Sequence, residues 1–321
     1  MRVLITGVTG FVAGHLLAEL RRHDPAVELW GLAWGGYDRA SLEGAAPGIR
    51  LIEADLVDPP SIPPVLAEAR PDAVYHLAAA SSVARSWDNA ARSLEINAVG
   101  TAHLFEAILR AGLDPVVLVA STAEIYGRVE AADGPVAETS PVAPMSPYGT
   151  SKAAQDWLAA QFHHGRGLAT VRVRFFHLTG PGRPPHFVAS SFARQIARIE
   201  LGLEPPRLAV GNLDSVRDFT DVRDAVRACR LACDRRHAGE VFNVCTGHGV
   251  AVAEVVETLL GLTDHDIEVE VDSARVRPSD IPWLVGDPSR IEAATGWRPE
   301  RSLRQTLADL LQWWRSELRA Q

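Results

Sequence analysis

The sequence predicts an α/β protein, a Rossmann-type doubly wound parallel sheet with a smaller α/β substrate-binding region. Three observations carry this. Short apolar runs alternate with longer amphipathic ones through the first 176 residues, a glycine-rich turn follows the first run, and the regularity breaks at Gly180-Pro181-Gly182-Arg183-Pro184-Pro185. Strands apolar along their whole length belong to a parallel sheet covered on both faces, and such sheets bind ligands at the carboxyl ends of their strands.

Taken in order, Val3 to Thr6, Val27 to Leu32, Ile49 to Glu53, Ala73 to Leu77, Val116 to Ala120 and Thr170 to Phe175 read as strands, being largely apolar and partly β-branched. Between them, Phe11 to Arg22, Pro64 to Arg70, Asn89 to Arg110 and Tyr148 to His164 carry helical periodicity. The polar, Pro-rich stretch Arg128 to Pro147 reads as a long loop, a kind of segment that often serves function. Past the break, Phe187 to Leu201, Ala251 to Leu260 and Leu303 to Leu318 read as helices and Arg207 to Val210 as a short strand. Val241 to Val244 reads as a strand able to rejoin the main sheet. At 321 residues the chain holds one large or two modest domains. The expected division is 1–176 with 213–247 for a dinucleotide-binding domain and 177–212 with 248–321 for a substrate domain.

A net charge of −8, from 32 basic and 40 acidic residues, argues against a nucleic-acid or anionic-membrane partner. No apolar run is long enough to span a bilayer and Met1-Arg2 leads straight into Val3-Leu4-Ile5, so a cytoplasmic location is expected. Cys229, Cys233 and Cys245 are too few for a disulfide framework and lack accompanying His ligands, so buried thiols and no metal site are expected. All basic residues but one are Arg, and the single Lys is Lys152. A position that alone takes Lys asks for a compact ammonium rather than a guanidinium fork.

The turn Thr6-Gly7-Val8-Thr9-Gly10-Phe11-Val12-Ala13-Gly14 lets backbone approach a pyrophosphate, which the free N–H groups at Phe11 and Val12 then meet. For the adenosine end, Asp38 suits a ribose hydroxyl, Arg39 a 2′-phosphate and Trp34 the adenine face, and each also reads as plain surface. Asp55 suits the adenine amino group or a helix cap. Ser121 and Thr122 lie just past the carboxyl end of a strand, where the crevice should be. Tyr148 and Lys152 share one helical face at i, i+4, and an ammonium near a phenol favours phenolate and proton exchange with a substrate oxygen.

These motifs together resemble the extended short-chain dehydrogenase/reductases that act on nucleotide sugars. The resemblance rests on Gly7, Gly10, Asp55, Leu77-Ala78-Ala79, Asn97 before Gly100-Thr101, Thr122, Tyr148, Lys152 and Gly180-Pro181-Gly182, and covers nearly the whole chain. It implies NADP or NAD as cofactor, held by Gly7, Gly10, Phe11, Val12, Asp55, Leu56, Leu77, Ala78, Ala79, Tyr148 and Lys152. It implies Thr122 hydrogen-bonding the reacting sugar oxygen, Tyr148 as acid/base, Lys152 on the nicotinamide ribose, and Asn97 bracing the site.

Val210 to Phe219 resembles a segment of enzymes for GDP-sugars. Ser82, Val188 and Arg277-Pro278-Ser279 fall in stretches similar to reductases of GDP-4-keto-6-deoxy sugars. A GDP-sugar site of Ser82, His177, Val188, Asn212, Arg217 and Arg277 is therefore expected, with His177 either a phosphate donor or a packing substitution. Dehydratases of the group carry a second proton-transferring residue where this chain has Ala123 beside Glu124, which leaves Glu124 a remnant or an orienting group. The implied reaction is NAD(P)H-dependent reduction at C4 of GDP-4-dehydro-6-deoxy-D-mannose to GDP-D-rhamnose. The alternatives are GDP-mannose 4,6-dehydration or 4-epimerisation with bound NAD, and more remotely a non-catalytic dinucleotide sensor. Many relatives form a homodimer through the helices at Asn89 to Arg110 and Tyr148 to His164.

Overall fold

The computed structural model describes residues 1–35, 47–275 and 281–320. The first part of the chain runs β1 (Arg2–Thr6), α1 (Phe11–His23), β2 (Glu28–Ala33), β3 (Arg50–Glu53), α2 (Ile62–Ala69) and β4 (Ala73–His76). Then come α3 (Val83–Asp88), α4 (Ala90–Leu94), a π-helical turn (Glu95–Val99) leading into α5 (Gly100–Arg110), β5 (Val116–Thr122), α6 (Pro147–Arg166) and β6 (Thr170–Phe175). Next are β7 (His177–Thr179), α7 (Val188–Glu200), β8 (Arg207–Val210), β9 (Val216–Asp221), α8 (Val222–Ala232) and β10 (Val241–Val244). Last come β11 (Gly249–Ala251), α9 (Val252–Leu260), β12 (Glu268–Val271), β13 (Trp283–Leu284), α10 (Ser289–Thr295) and α11 (Leu303–Arg319).

Seven strands form one parallel sheet in the order β10-β6-β5-β4-β1-β2-β3. The strand order reverses between β1 and β4 and opens a crevice at their carboxyl ends, which is where a doubly wound sheet takes its ligand. Successive residues of β1 go to opposite faces, so Val3 and Ile5 join the core with Leu16, Leu17, Val171 and Phe242, while Leu4 joins Trp30, Leu66, Val117 and Phe105. Both faces are thus buried, and the unbroken apolar character of the strands follows. Val241–Val244 does rejoin this sheet, pairing in parallel with Arg172–Phe175.

A separate apolar cluster gathers Phe192, Ile196, Val255, Leu310, Leu311 and Trp314 from α7, α9 and α11, and β8 pairs with β12 beside it. The stretch expected to be a long loop, 128–147, has one short 3₁₀ turn and is tied to the late chain by bridges Val129↔Trp283 and Val136↔Gly286. Cys229 and Cys245 are buried free thiols, whereas Cys233 is only partly buried, a small correction to the expectation. No helix among the described residues is long and apolar enough to cross a membrane.

Helix α6 positions the chemistry. Ser146 caps it by accepting from Gly149 N at 3.0 Å, Pro147 fills the first turn, and Gly167 ends it at φ 72°. The cap fixes the start, so Tyr148 falls in the first turn and Lys152 one turn further on the same buried face.

Candidate active site

At the glycine turn, Gly7 has φ 68° and a Cβ there would lie 2.7 Å from Ala78 Cα, so only glycine permits this approach to the strand-β4 exit. Gly10 N donates to Gly7 O at 3.0 Å and caps α1 without a side chain, and no acidic residue sits in the first turn. The N–H groups opening α1 are left for an anion. Beyond the ends of β2 and β3, a cavity of about 560 Å³ is lined by Trp34, Gly35, Glu53, Ala54, Asp55 and Ser61. Trp34 Nε1 donates to Asp55 Oδ2 at 3.1 Å, and Asp55 Oδ1 accepts from Val57 N at 2.9 Å. A purine fits such a volume, so cradle and cavity together suit a dinucleotide. Leu56 is buried in the core behind the cavity, while Leu77, Ala78 and Ala79 form the partly buried wall after β4. Asp38 and Arg39 lie outside the described residues.

The register of β5 against β6 sets Thr122 opposite Phe175 at the sheet's carboxyl end. There the Thr122 hydroxyl shares a hydrogen bond with the Tyr148 phenol. Burial pushes the phenol up to about 12, with the Thr122 bond and the Arg183 cation pulling down and the Glu124 charge pushing up. Tyr148 is therefore protonated at neutral pH, and the expected lowering of the phenol by the Lys152 ammonium is corrected: burial outweighs every charge near it, and the cation acting on it is Arg183. Glu124 is partly buried and donates its backbone N–H to Thr122 Oγ1 at 3.3 Å. Ala123 points away, packed with Ile125, Tyr126 and Phe176.

Lys152 is 3% exposed. Its ammonium donates to Ala120 O at 2.5 Å and to Gln155 Oε1. Burial lowers it to about 7, against the opposing charge of Asp156. Gln155 Nε2 donates onward to Thr101 Oγ1 at 2.8 Å, and Thr101 donates to Asn97 O at 2.6 Å. The remaining lone pair of Thr101 takes His76 Nε2 at 2.7 Å, so that nitrogen carries the proton. His76 Nδ1 then accepts from Thr6 Oγ1 at 2.8 Å, and Thr6 accepts from Ala78 N at 3.2 Å. Burial, then the Lys152 charge, lowers His76 to about 3 and keeps it neutral. One closed chain of hydrogen bonds thus joins the glycine turn to Lys152. Asn97, in the π-helical turn, accepts from Ala80 N at 2.8 Å and donates to Ser151 Oγ at 2.9 Å, holding the wall to α6.

Across the crevice, His177 begins β7 and packs edge-on to Phe219, and burial, then Arg217 and Arg183, keeps it well below its ordinary value. Arg217 is buried on β9 and donates to Val216 O at 3.0 Å. Val188 opens α7 and Ser82 caps α3, accepting from Arg85 N. Asn212 is exposed, and its side chain shapes a turn by accepting from Asp214 N at 3.0 Å and donating to Ser215 Oγ at 3.1 Å. Arg277 lies outside the described residues. No group of three or more His, Cys, Asp or Glu among the described residues is arranged to hold a metal.

The sequence profile described as GDP-mannose 4,6 dehydratase matches residues 4–310. The chain belongs to this family of extended short-chain dehydrogenase/reductases. Within the GDP-mannose dehydratase family and its kin, the chain is similar to a GDP-6-deoxy-D-mannose reductase of Pseudomonas aeruginosa, 35% identical over 99% of this chain and 98% of that one. Among solved structures it resembles RMD from Pseudomonas aeruginosa complexed with NADPH, at 32% identity and TM-score 0.85 over 99% of this chain and 100% of that one. It also resembles the UDP-glucose 4-epimerase of Thermus thermophilus in complex with NAD, at 30% identity and TM-score 0.87 over 98% and 99%.

Read as a member of the GDP-mannose dehydratase family, the chain brings Thr122, Glu124, Tyr148 and Lys152 to the end of β5 next to the glycine turn. Sequence reasoning missed Gln155, His76 and Arg183. Gln155 lies three residues after Lys152 and so on its face of α6, a signal available from spacing alone. Arg183 was hidden in a Pro- and Gly-rich run that reads as punctuation.

Proposed function

We propose that the protein catalyses NAD(P)H-dependent reduction at C4 of a GDP-4-keto-6-deoxy sugar, GDP-4-dehydro-6-deoxy-D-mannose to GDP-D-rhamnose. The observation that carries this is a Tyr148 phenol hydrogen-bonded to Thr122 beside one carboxylate among the described residues, Glu124, with Ala123 turned into the apolar core. Reduction asks for one proton delivered to the carbonyl oxygen, and a neutral phenol is the group to deliver it. When bound, the reduced dinucleotide supplies the hydride to C4. Thr122 orients the carbonyl oxygen, Tyr148 passes its proton to the oxygen as charge develops, and the Thr122 hydrogen bond with the Arg183 cation steadies the phenolate that remains, while Lys152 would hold the nicotinamide ribose. The Gly7–Gly10 cradle with the α1 N-terminus would hold the pyrophosphate, and the Trp34–Asp55 cavity the adenine. The named reductase relative supports the choice of substrate.

Removal of water from a sugar needs a second acid–base group, and Ala123 supplies none. Glu124 beside Tyr148 favours the second reading, a GDP-mannose 4,6-dehydratase or 4-epimerase with held NAD. The test supplies purified protein with the 4-keto sugar and NADPH or NADH and follows the loss of the reduced nicotinamide's near-ultraviolet absorbance. Stoichiometric oxidation is expected. No oxidation, with turnover of GDP-mannose and no added cofactor, moves the assignment to the second reading.

We further read residues 1–176 with 213–247 as the dinucleotide-binding domain and the remainder as the sugar-nucleotide domain. We also read the chain as a cytoplasmic homodimer. Trp87, Leu94, Val99 and Trp157 are large apolar side chains left exposed on α3, α4, the π-helical turn and α6, and this supports an interface there.

A further inference from the structure

Lys152 and Gln155 lie three residues apart on α6, and both are buried. An ammonium only donates, so the Gln155 amide must turn its oxygen to Lys152 and its nitrogen to Thr101 Oγ1, 2.8 Å away. The Thr101 hydroxyl spends its proton on Asn97 O, which leaves its two lone pairs to accept from Gln155 and from His76 Nε2. His76 Nδ1 takes the Thr6 hydroxyl proton, and Thr6 takes the Ala78 N–H. The direction of every bond in the run is thus set from the ammonium end.

Thr6, His76, Asn97, Thr101 and Gln155 are all buried. A buried amide is costly unless its bonds are made, and an apolar side chain at 155 would carry no such requirement. Among the described residues Gln155 is the one side chain that accepts from Lys152, the other acceptor being the backbone carbonyl of Ala120 at 2.5 Å. A lysine loses much rotamer freedom when its head group is held, and two acceptors at fixed positions hold it before any ligand arrives. The charged and titratable groups around it act without a hydrogen bond to it. Asp156, one turn along α6, favours the ammonium and is shared with Arg174 and Arg172 of β6, while His76 on β4 is neutral. Tyr148 lies one turn back on α6, and Glu124 acts on that phenol.

We propose that Gln155 is the positioning residue for Lys152, its amide held by Thr101 and His76 so that the ammonium keeps one N–H for the bound dinucleotide. This rests on the reading of the protein as a dinucleotide enzyme. Gln155 acts through Lys152 rather than on a ligand. The far end of the run is the wall of the dinucleotide cradle, since Ala78 is the residue that Gly7 approaches. One set of bonds therefore holds both the wall beside the glycine turn and the ammonium.

Lys152 is the only lysine in the chain, so protein made with lysine carbon-13 labelled at Cε gives a single side-chain signal whose shift against pH reads the ammonium directly. The experiment follows that signal in the full chain and in Q155L, Q155E, T101V and T101S, with calorimetric binding of NADPH and NADH. Melting curves confirm which variants fold, and the T101V and T101S pair carries the same readout where Q155L does not. In Q155L the ammonium loses a charge-assisted bond, so its midpoint should fall by about one pH unit and dinucleotide binding should weaken about tenfold. Q155E sets a carboxylate against the ammonium and should raise the midpoint by about one pH unit or more. T101V frees the amide and should move the midpoint the same way as Q155L, and T101S, which restores the hydroxyl, should return it to wild type. A role in packing alone lowers the melting temperature and leaves the midpoint in place. Folded Q155L and Q155E that titrate as wild type therefore overturn the proposal, as does Q155L binding dinucleotide within about twofold of wild type. No dinucleotide binding by wild type overturns the cofactor reading instead, and the midpoints of the free proteins then decide by themselves whether Gln155 holds the ammonium.

Discussion

At position 152 the compositional oddity has a structural cause. An ammonium has three N–H donors, two of which are committed to Ala120 O and Gln155 Oε1, leaving one for ligand. A guanidinium is planar, longer and carries five donors, and a buried slot offering two protein acceptors leaves the others unpaired. Burial holds Lys152 at about 7, so the ammonium is present below that value and lost above it, while Tyr148 at about 12 keeps its proton throughout the working range. In the free enzyme kcat/KM should therefore fall as pH rises through about 7, and Lys152→Arg should lower kcat by about a hundredfold or more and abolish that limb. A pH series of initial rates for both proteins checks this. A limb at the same pH in Lys152→Arg would assign the titration to another group. Spacing alone exposed Tyr148 and Lys152, because i, i+4 on a helix is a statement about one face. It could not expose Arg183, whose position depends on two phenylalanines, one 172 residues earlier in the chain and the other four later.

At the scale of elements, α6 joins the site to the sheet through Asp156. Arg174 of β6 meets this carboxylate from two nitrogens, Nε to Oδ2 at 3.0 Å and Nη2 to Oδ1 at 2.9 Å, and Arg172 adds Nη1 at 3.2 Å. Burial pushes the Asp156 carboxyl up, but the Arg174 hydrogen bonds and charge, then Arg172, outweigh it and leave it below its ordinary value. The depressed value means that the stabilisation is complete above the ordinary carboxylate range and is lost as pH falls through the folded-state value. Asp156→Asn strips the buried Arg174 and the partly buried Arg172 of their counter-ion and should cost about 3–5 kcal/mol at neutral pH. Thermal melts should show the gap between wild type and variant narrowing below about pH 4, as the wild-type carboxyl itself protonates. A gap independent of pH would mean that shape, not charge, holds the junction. The same variant removes the charge that holds Lys152 up, so its alkaline limb should move to lower pH.

Strands such as Thr170–Phe175, Arg207–Val210 and Val241–Val244 were legible to the residue, since valine, leucine or phenylalanine recurs along each short run. Helix α8 was not, because Val222-Arg223-Asp224-Ala225-Val226-Arg227 alternates charge with small residues and its burial comes from partners far along the chain. Nor was the π-helical turn, whose extra residue places Asn97 against Ala80 and Ser151, contacts set by tertiary structure.

On the scale of the whole molecule, four of the exposed large apolar side chains gather on neighbouring helices. Trp157 is 52% exposed and Trp87 58%, and with Leu94 and Val99 they sit on α6, α3, α4 and the turn between α4 and α5, helices that pack against one another. The opposite face of α6 carries Tyr148, Ser151, Lys152 and Gln155 into the site, so one helix serves the crevice with one face and offers apolar surface with the other. Self-association by a twofold axis would place the two α6 helices in one shared bundle and bury these rings against their copies. The 34.7 kDa chain should then run at twice its mass in light scattering at micromolar concentration, and Trp157→Glu, which sets a charge against its own copy across the axis, should run as a monomer. The variant's far-ultraviolet circular dichroism should match wild type, because position 157 contributes to no intrachain core. Loss of kcat in the monomer with an unchanged spectrum would show that the bundle steadies α6 and hence Lys152. A wild-type monomer, or a Trp157→Glu dimer, would mean that this apolar face serves some other surface.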